Sequence, residues 1–170
     1  MRKGPPRALS ASSAEGVKEA DGRWMRRALA EARAAGEEGE VPIGCVVVDG
    51  GTLVARAHNL RETLHDPTAH AEMLALTQAA EARGDWRLDG CTLYATLEPC
   101  VMCAGAILAA RVGRVVYGAD DPQVGACGSV LDLGREARFA PGFETVGGVE
   151  SGECRDLLRG FFRERRRRAP

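Results

Sequence analysis

From residue 21 to residue 36 the apolar positions Trp24, Met25, Ala28, Leu29 and Ala32 recur at three-to-four spacing. That period predicts an amphipathic helix, with Asp21 as its cap and Gly36 as its stop. The pattern then changes. Residues 41–48 and 52–59 are rich in strand-forming side chains and are split by Asp49-Gly50-Gly51, which predicts a hairpin whose Val46-Val47-Val48 strand is buried on both faces. Helical spacing returns over residues 70–83, where Met73, Leu74, Leu76 and Ala80 are available to a core and Gly84 ends the run. A strand is expected over 91–97, a helix over 100–111 opened by Pro99, and a strand over 114–117.

Two strands joined by a helix of that length imply a parallel, right-handed crossover, so the sheet combines an antiparallel hairpin with parallel pairing. The fold class expected is α/β, a three-layer α/β/α sandwich around a mixed five-stranded sheet. Residues 118–134 are glycine-studded and irregular, 145–149 form a short strand or a loop, and Ser151 caps a last helix. Leu157, Leu158, Phe161 and Phe162 are expected to pack one side of that helix into the core. Residues 1–20, rich in Gly, Pro, Ala and Ser with no apolar period, are read as a disordered extension ahead of a single domain over 21–170.

Composition narrows the function classes. The chain has 170 residues, 45% hydrophobic and 28% charged, a length and balance that fit one soluble globular domain. No apolar stretch approaches a membrane span and no apolar segment follows the basic N-terminus, so a cytoplasmic protein with no membrane partner is expected. In that compartment the six cysteines should be reduced. Net charge is −1, but residues 155–170 carry seven arginines against Asp156 and Glu164, a local +5 that leaves −6 on the rest.

Chemistry concentrates at two helix starts. His70-Ala71-Glu72 opens one and Pro99-Cys100-Val101-Met102-Cys103 opens the other. Two cysteines three apart on a first helical turn can aim both sulfurs at one ion, and the helix N-terminus favours the thiolate that a metal needs. With His70 they make three ligands. A structural zinc site closes with four protein ligands, whereas a catalytic one keeps the fourth position for water. A carboxylate two residues from the histidine then stands where a general base is needed.

Together the halves read H-x-E…P-C-x-x-C, the signature of zinc-dependent nucleobase deaminases. The segments 66–72, 96–107, 114–119 and 161–163 resemble the bacterial tRNA-specific adenosine deaminases (the TadA family), and the resemblance covers roughly residues 22–168. It implies a cytidine deaminase-like fold and hydrolytic deamination of adenosine to inosine at the wobble position of a tRNA anticodon, that of an arginine tRNA. It also implies one zinc ion per chain on His70, Cys100 and Cys103, with Glu72 as the proton carrier, and a homodimer acting on the anticodon stem-loop.

By the same resemblance Asn59 and the backbone N–H of Ala71 meet the base, and Asp121 lies near the RNA backbone. Val41, Pro42 and Ile43 supply an apolar wall, and Arg163, Arg165 and Arg166 contact phosphate. Read without the family, Asn59 has an alternative as an Asx-turn residue at a strand end, Asp121 as a solvated turn acid, and the terminal arginines as a solvated tail. His58 is taken as a surface residue, and Cys45, Cys91 and Cys154 as small buried thiols. Two rival functions remain: a guanine or cytosine deaminase sharing the zinc site, and a non-catalytic zinc module with Cys127 as a fourth ligand.

Overall fold

The computed structural model describes residues 11–139 and 141–168. Five strands, β1 (Gly44–Asp49), β2 (Thr52–His58), β3 (Cys91–Leu97), β4 (Arg114–Ala119) and β5 (Glu144–Val146), form one sheet in the order β2-β1-β3-β4-β5. Pairs β1/β2 and β1/β3 are antiparallel, while β3/β4 and β4/β5 are parallel. The mixed five-stranded sheet is therefore the one expected. Residues 145–149 resolve into a strand shifted one position earlier and ending at Val146.

Helices cover both faces. On one face, α3 (Ala71–Arg83) and α4 (Val101–Ala109) pack Ala75, Leu76, Ala104 and Ile107 against Val47, Leu93 and Val115. On the other, α1 (Ala11–Glu37) and α5 (Ser151–Arg168) pack Met25, Leu29 and Cys154 against Val46, Tyr94 and Val116. Alternate residues of β1 enter opposite cores, so this strand is buried on both sides as its VVV run requires. A short helix, α2 (Arg61–Leu64), bridges β2 and α3.

The first helix departs from expectation. It begins at Ala11, ten residues before Asp21, so residues 11–20 are helical and not a disordered extension; residues 1–10 lie outside the described residues. Alanine-rich sequence adds turns to an already nucleated helix at little cost, even without an apolar stripe. Asp21 consequently sits inside the helix. Its buried carboxylate receives both terminal nitrogens of Arg114 at 2.8 Å and the Tyr94 hydroxyl at 3.0 Å, pinning α1 to the sheet.

Candidate active site

The site forms where α3 and α4 begin. His70 and Cys100 occupy the N-cap positions in extended conformation, with φ/ψ of −72°/151° and −72°/174°, and neither helix has a side-chain cap bond. The cap side chains are thus free to face each other. Pro99 lies one residue before the cap, and the helix proper starts at Val101, which moves the expected 100–111 boundary by one at the start and two at the end.

His70 Nδ1 lies 3.8 Å from Cys100 Sγ and 3.5 Å from Cys103 Sγ, and the three ligand atoms all fall within 4.8 Å of one another. One imidazole and two sulfurs suit a borderline-soft cation such as zinc, so the donors fit the ion that the motif implies. Cys127 does not join them. Among the described residues the group stops at three, and the Cys127 amide is occupied 2.9 Å from Glu98 Oε1. The four-ligand structural module loses its only named extra ligand.

Metal-free electrostatics already polarise the pair. The hydrogen bond from Cys103, followed by that from His70, holds Cys100 down to about 3, while the same Cys103–Cys100 contact and burial push Cys103 up. The Cys100 contact also raises His70. A cation entering here meets one thiolate ready to bind and must displace the proton on Cys103. Glu72, on the first turn of α3 and 4% exposed, is raised chiefly by burial, which favours a carboxyl that exchanges its proton nearer neutrality.

His70, Glu72 and Cys100 border a cavity of about 300 Å³, and the structure sorts the remaining expected residues around it. Val41, Ile43, Asn59, Ala71 and Asp121 line the cavity. Pro42 does not: it turns to the groove between α1 and α5, at the centre of a γ-turn in which the Ile43 N–H donates to the Val41 carbonyl at 2.8 Å. Arg163, Arg165 and Arg166 are exposed on α5 outside the cavity, with Arg165 5.7 Å over the Phe161 ring.

Phe162 is 42% exposed and lines the cavity, whereas Phe161 is half-buried beside Pro42. The expectation that both aromatics enter the core fails because adjacent helical residues point about 100° apart. His58 is not a plain surface residue either. Its ring stands between Glu31 (3.4 Å) and Glu38 (3.2 Å), tying β2 to α1. Cys45, Cys91 and Cys154 are buried thiols as expected, and all six cysteines are free.

Two buried acids absent from the sequence-level site shape its walls. Glu98, next to Pro99, accepts the backbone N–H groups of Asp121 (2.9 Å), Cys127 (2.9 Å) and Ser129 (3.0 Å) and the Ser129 hydroxyl. Burial raises its carboxyl, but these donors together bring it below its ordinary value. The loop carrying Asp121 therefore closes on the helix that carries Cys100. Gly125 completes the junction, since a Cβ there would strike the Glu98 carboxylate and the Asp121 carbonyl. Glu40 holds the opposite wall through Asn59 and Thr63.

The whole arrangement has close counterparts. Residues 19–166 match the model of the MafB19-like deaminase family. The tRNA-specific adenosine deaminase of Bacillus subtilis (strain 168) is 52% identical over 148 residues, covering 87% of this chain and 92% of that protein. A solved structure from work on A-to-I editing by tRNA:A34 deaminases at the wobble position of transfer RNA is 44% identical with a TM-score of 0.77, over 80% of this chain and 99% of that one. The guanine deaminase of Nitrosomonas europaea shares the fold at 28% identity and a TM-score of 0.68, over 92% and 87% of the two chains. With a cytidine deaminase-like sandwich, a His/Cys/Cys group and this degree of identity, the chain belongs to the MafB19-like deaminases and, among them, to the tRNA-specific adenosine deaminases.

Proposed function

We propose that this chain converts adenosine to inosine at the wobble position of a tRNA anticodon, that of an arginine tRNA, as a zinc-dependent cytoplasmic homodimer. The observation that carries the reading is the His70–Cys100–Cys103 group beside buried Glu72 in a cavity of about 300 Å³. A space of that size admits one base and not a folded loop, so the nucleotide enters extruded from its stack. His70, Cys100 and Cys103 would hold the zinc, which when bound would supply Lewis acidity enough to lower the pKa of a water from ~15.7 toward ~7.

Glu72 does the proton work. Its carboxylate takes one proton from the attacking water and gives it to the ring nitrogen beside C6, then takes the remaining proton from the hydroxyl now on C6 and passes it to the amine, which leaves as ammonia while the C6 carbonyl forms. Asn59 and the Ala71 N–H hold the purine edge, while Val41, Ile43 and Phe162 offer apolar faces to the ring. Asp121, at the cavity edge, accepts from a ribose 2′-hydroxyl, which favours RNA over DNA. Arg163, Arg165 and Arg166 take phosphates of the anticodon stem-loop. No described helix is long and apolar enough to cross a membrane.

The test is incubation of the purified protein with an anticodon stem-loop bearing a wobble adenosine, followed by base analysis. Inosine should appear, and free adenosine should react far more slowly. Equal turnover of free adenosine or guanine would replace this reading with a small-molecule deaminase.

A further inference from the structure

Glu40 is fully buried between α1 and β1, a costly position for a carboxylate that belongs to neither the metal group nor the proton relay. Its oxygens are divided between two wall segments. Oε1 accepts the backbone N–H of Thr63 at 2.7 Å, and Oε2 accepts Nδ2 of Asn59 at 3.0 Å. The first bond serves α2, whose N-cap residue Leu60 has no polar side chain to cap it. Burial raises the Glu40 carboxyl, yet the N–H donors of Thr63 and Glu62 leave it below its ordinary value, so it is ionised and can only accept.

The second bond has consequences for recognition. An asparagine amide has nearly the same shape either way round, and only its partners decide which end is nitrogen. Here an acceptor-only carboxylate demands the nitrogen. Asn59 is 3% exposed, borders the cavity, and keeps its carbonyl and second N–H for other partners. A carbonyl beside an N–H complements the N6-donor and N7-acceptor edge of adenine, whereas guanine presents two acceptors there.

Building on the assignment of Asn59 to the base, we propose that Glu40 is a positioning residue that locks the Asn59 amide in one orientation and thereby makes the pocket prefer adenine over guanine. Glu40→Gln is the sharp variant because it is nearly isosteric. The glutamine can keep the Thr63 bond through its carbonyl oxygen, but it then offers Asn59 a donor, and the Asn59 amide turns over to accept it. For a wobble-adenosine stem-loop, kcat/KM should fall about 10- to 100-fold with zinc content unchanged. The binding preference for the adenosine stem-loop over one with guanosine at that position should shrink by about tenfold, a change that loosened packing alone would not select.

A second measurement needs no variant at Glu40. Asn59 is the only asparagine in the chain, so selective ¹⁵N-asparagine labelling of the full-length zinc-loaded protein gives one side-chain amide. One of its two protons should be shifted downfield and protected from solvent exchange by the carboxylate. Unperturbed, rapidly exchanging protons would overturn the proposal, as would a Glu40→Gln protein with wild-type preference. So would losses that multiply when Glu40→Gln is added to Asn59→Ala, because an effect carried through Asn59 must vanish once its amide is gone. If Asn59→Ala itself leaves turnover and preference intact, the assignment of Asn59 to the base falls and this proposal with it. If Asn59→Ala is damaging and Glu40→Gln is harmless, only the role of Glu40 is lost.

Discussion

The α3/α4 face of the sheet buries the larger apolar core and the α1/α5 face the smaller one, and the two treat charge differently. On the first, helix starts gather His70, Cys100 and Cys103 into one mutually hydrogen-bonded donor group, with Cys100 lowered to about 3, beside Glu72 raised by burial. On the second, Asp21 is matched by Arg114 in two bonds at 2.8 Å and by Tyr94. Burial pushes the Tyr94 hydroxyl up and the Asp21 partner holds the Arg114 guanidinium up, so each keeps its proton. A fully paired acid and base order a helix; a cluster of soft donors beside an acid raised by burial has the capacity to bind a cation and move a proton.

Variants on the two faces should separate chemistry from stability. Glu72→Ala is expected to leave the fold and the bound zinc in place while turnover falls by ~10²–10⁴ or more, since a relay of this kind is worth that much and two proton transfers use it. Loss of zinc from that variant, seen by metal analysis, would make Glu72 a ligand instead. Cys100→Ala or Cys103→Ala should strip the metal. On the opposite face, Asp21→Ala leaves the Arg114 guanidinium and the Tyr94 hydroxyl without their shared acceptor and should cost roughly 2–4 kcal/mol in denaturant unfolding. Its kcat on the stem-loop should match wild type while it remains folded. A large kcat loss would show that the two faces are coupled.

Legibility in the sequence follows the same division. His70, Glu72, Cys100 and Cys103 can be found because each pair lies within one helical turn, so spacing alone fixes its geometry. Glu40 and Glu98 cannot, because their partners are 19 to 31 residues away and are mostly backbone N–H groups that carry no residue signature. Pro42 and Phe162 escape correct placement for a smaller reason. An apolar run shows that a segment is partly buried, but which neighbour faces the cavity depends on rotation of the chain by one residue. The start of α1 is hidden because alanine extends a helix without marking a face.

The loop that joins the two halves of the site offers a milder test. Gly125→Ala places a methyl against the Glu98 carboxylate and the Asp121 carbonyl, neither of which is the free end of a surface side chain. Overpacking of this kind typically costs about 1–3 kcal/mol. The loop should yield before the metal group does, so KM for the stem-loop should rise with zinc content unchanged. Should kcat fall while KM stays constant, the loop acts on the chemical step and the division into a metal group and a separate RNA-facing wall is too simple.

Smallest in effect, and confined to the rim, is the basic end of α5. Arg163, Arg165 and Arg166 are exposed, and no ion pair involves any of them among the described residues. Their one charged contact in the described fold is Arg165 over the Phe161 ring. Replacing all three with alanine should therefore leave unfolding within about 1 kcal/mol of wild type, the worth of one exposed cation–π pair. Binding of the stem-loop should weaken, and its dependence on salt should flatten, because each phosphate left without its arginine withdraws roughly 0.7 from the slope of log K against log salt for single-stranded RNA. Three such phosphates would remove about two from that slope, and a single one less than about one. Titrations at several salt concentrations thus count how many of these arginines meet the backbone. An unchanged slope would assign the substrate's phosphates to other residues and leave this end of α5 a solvated cap whose one contribution to the site is Phe162.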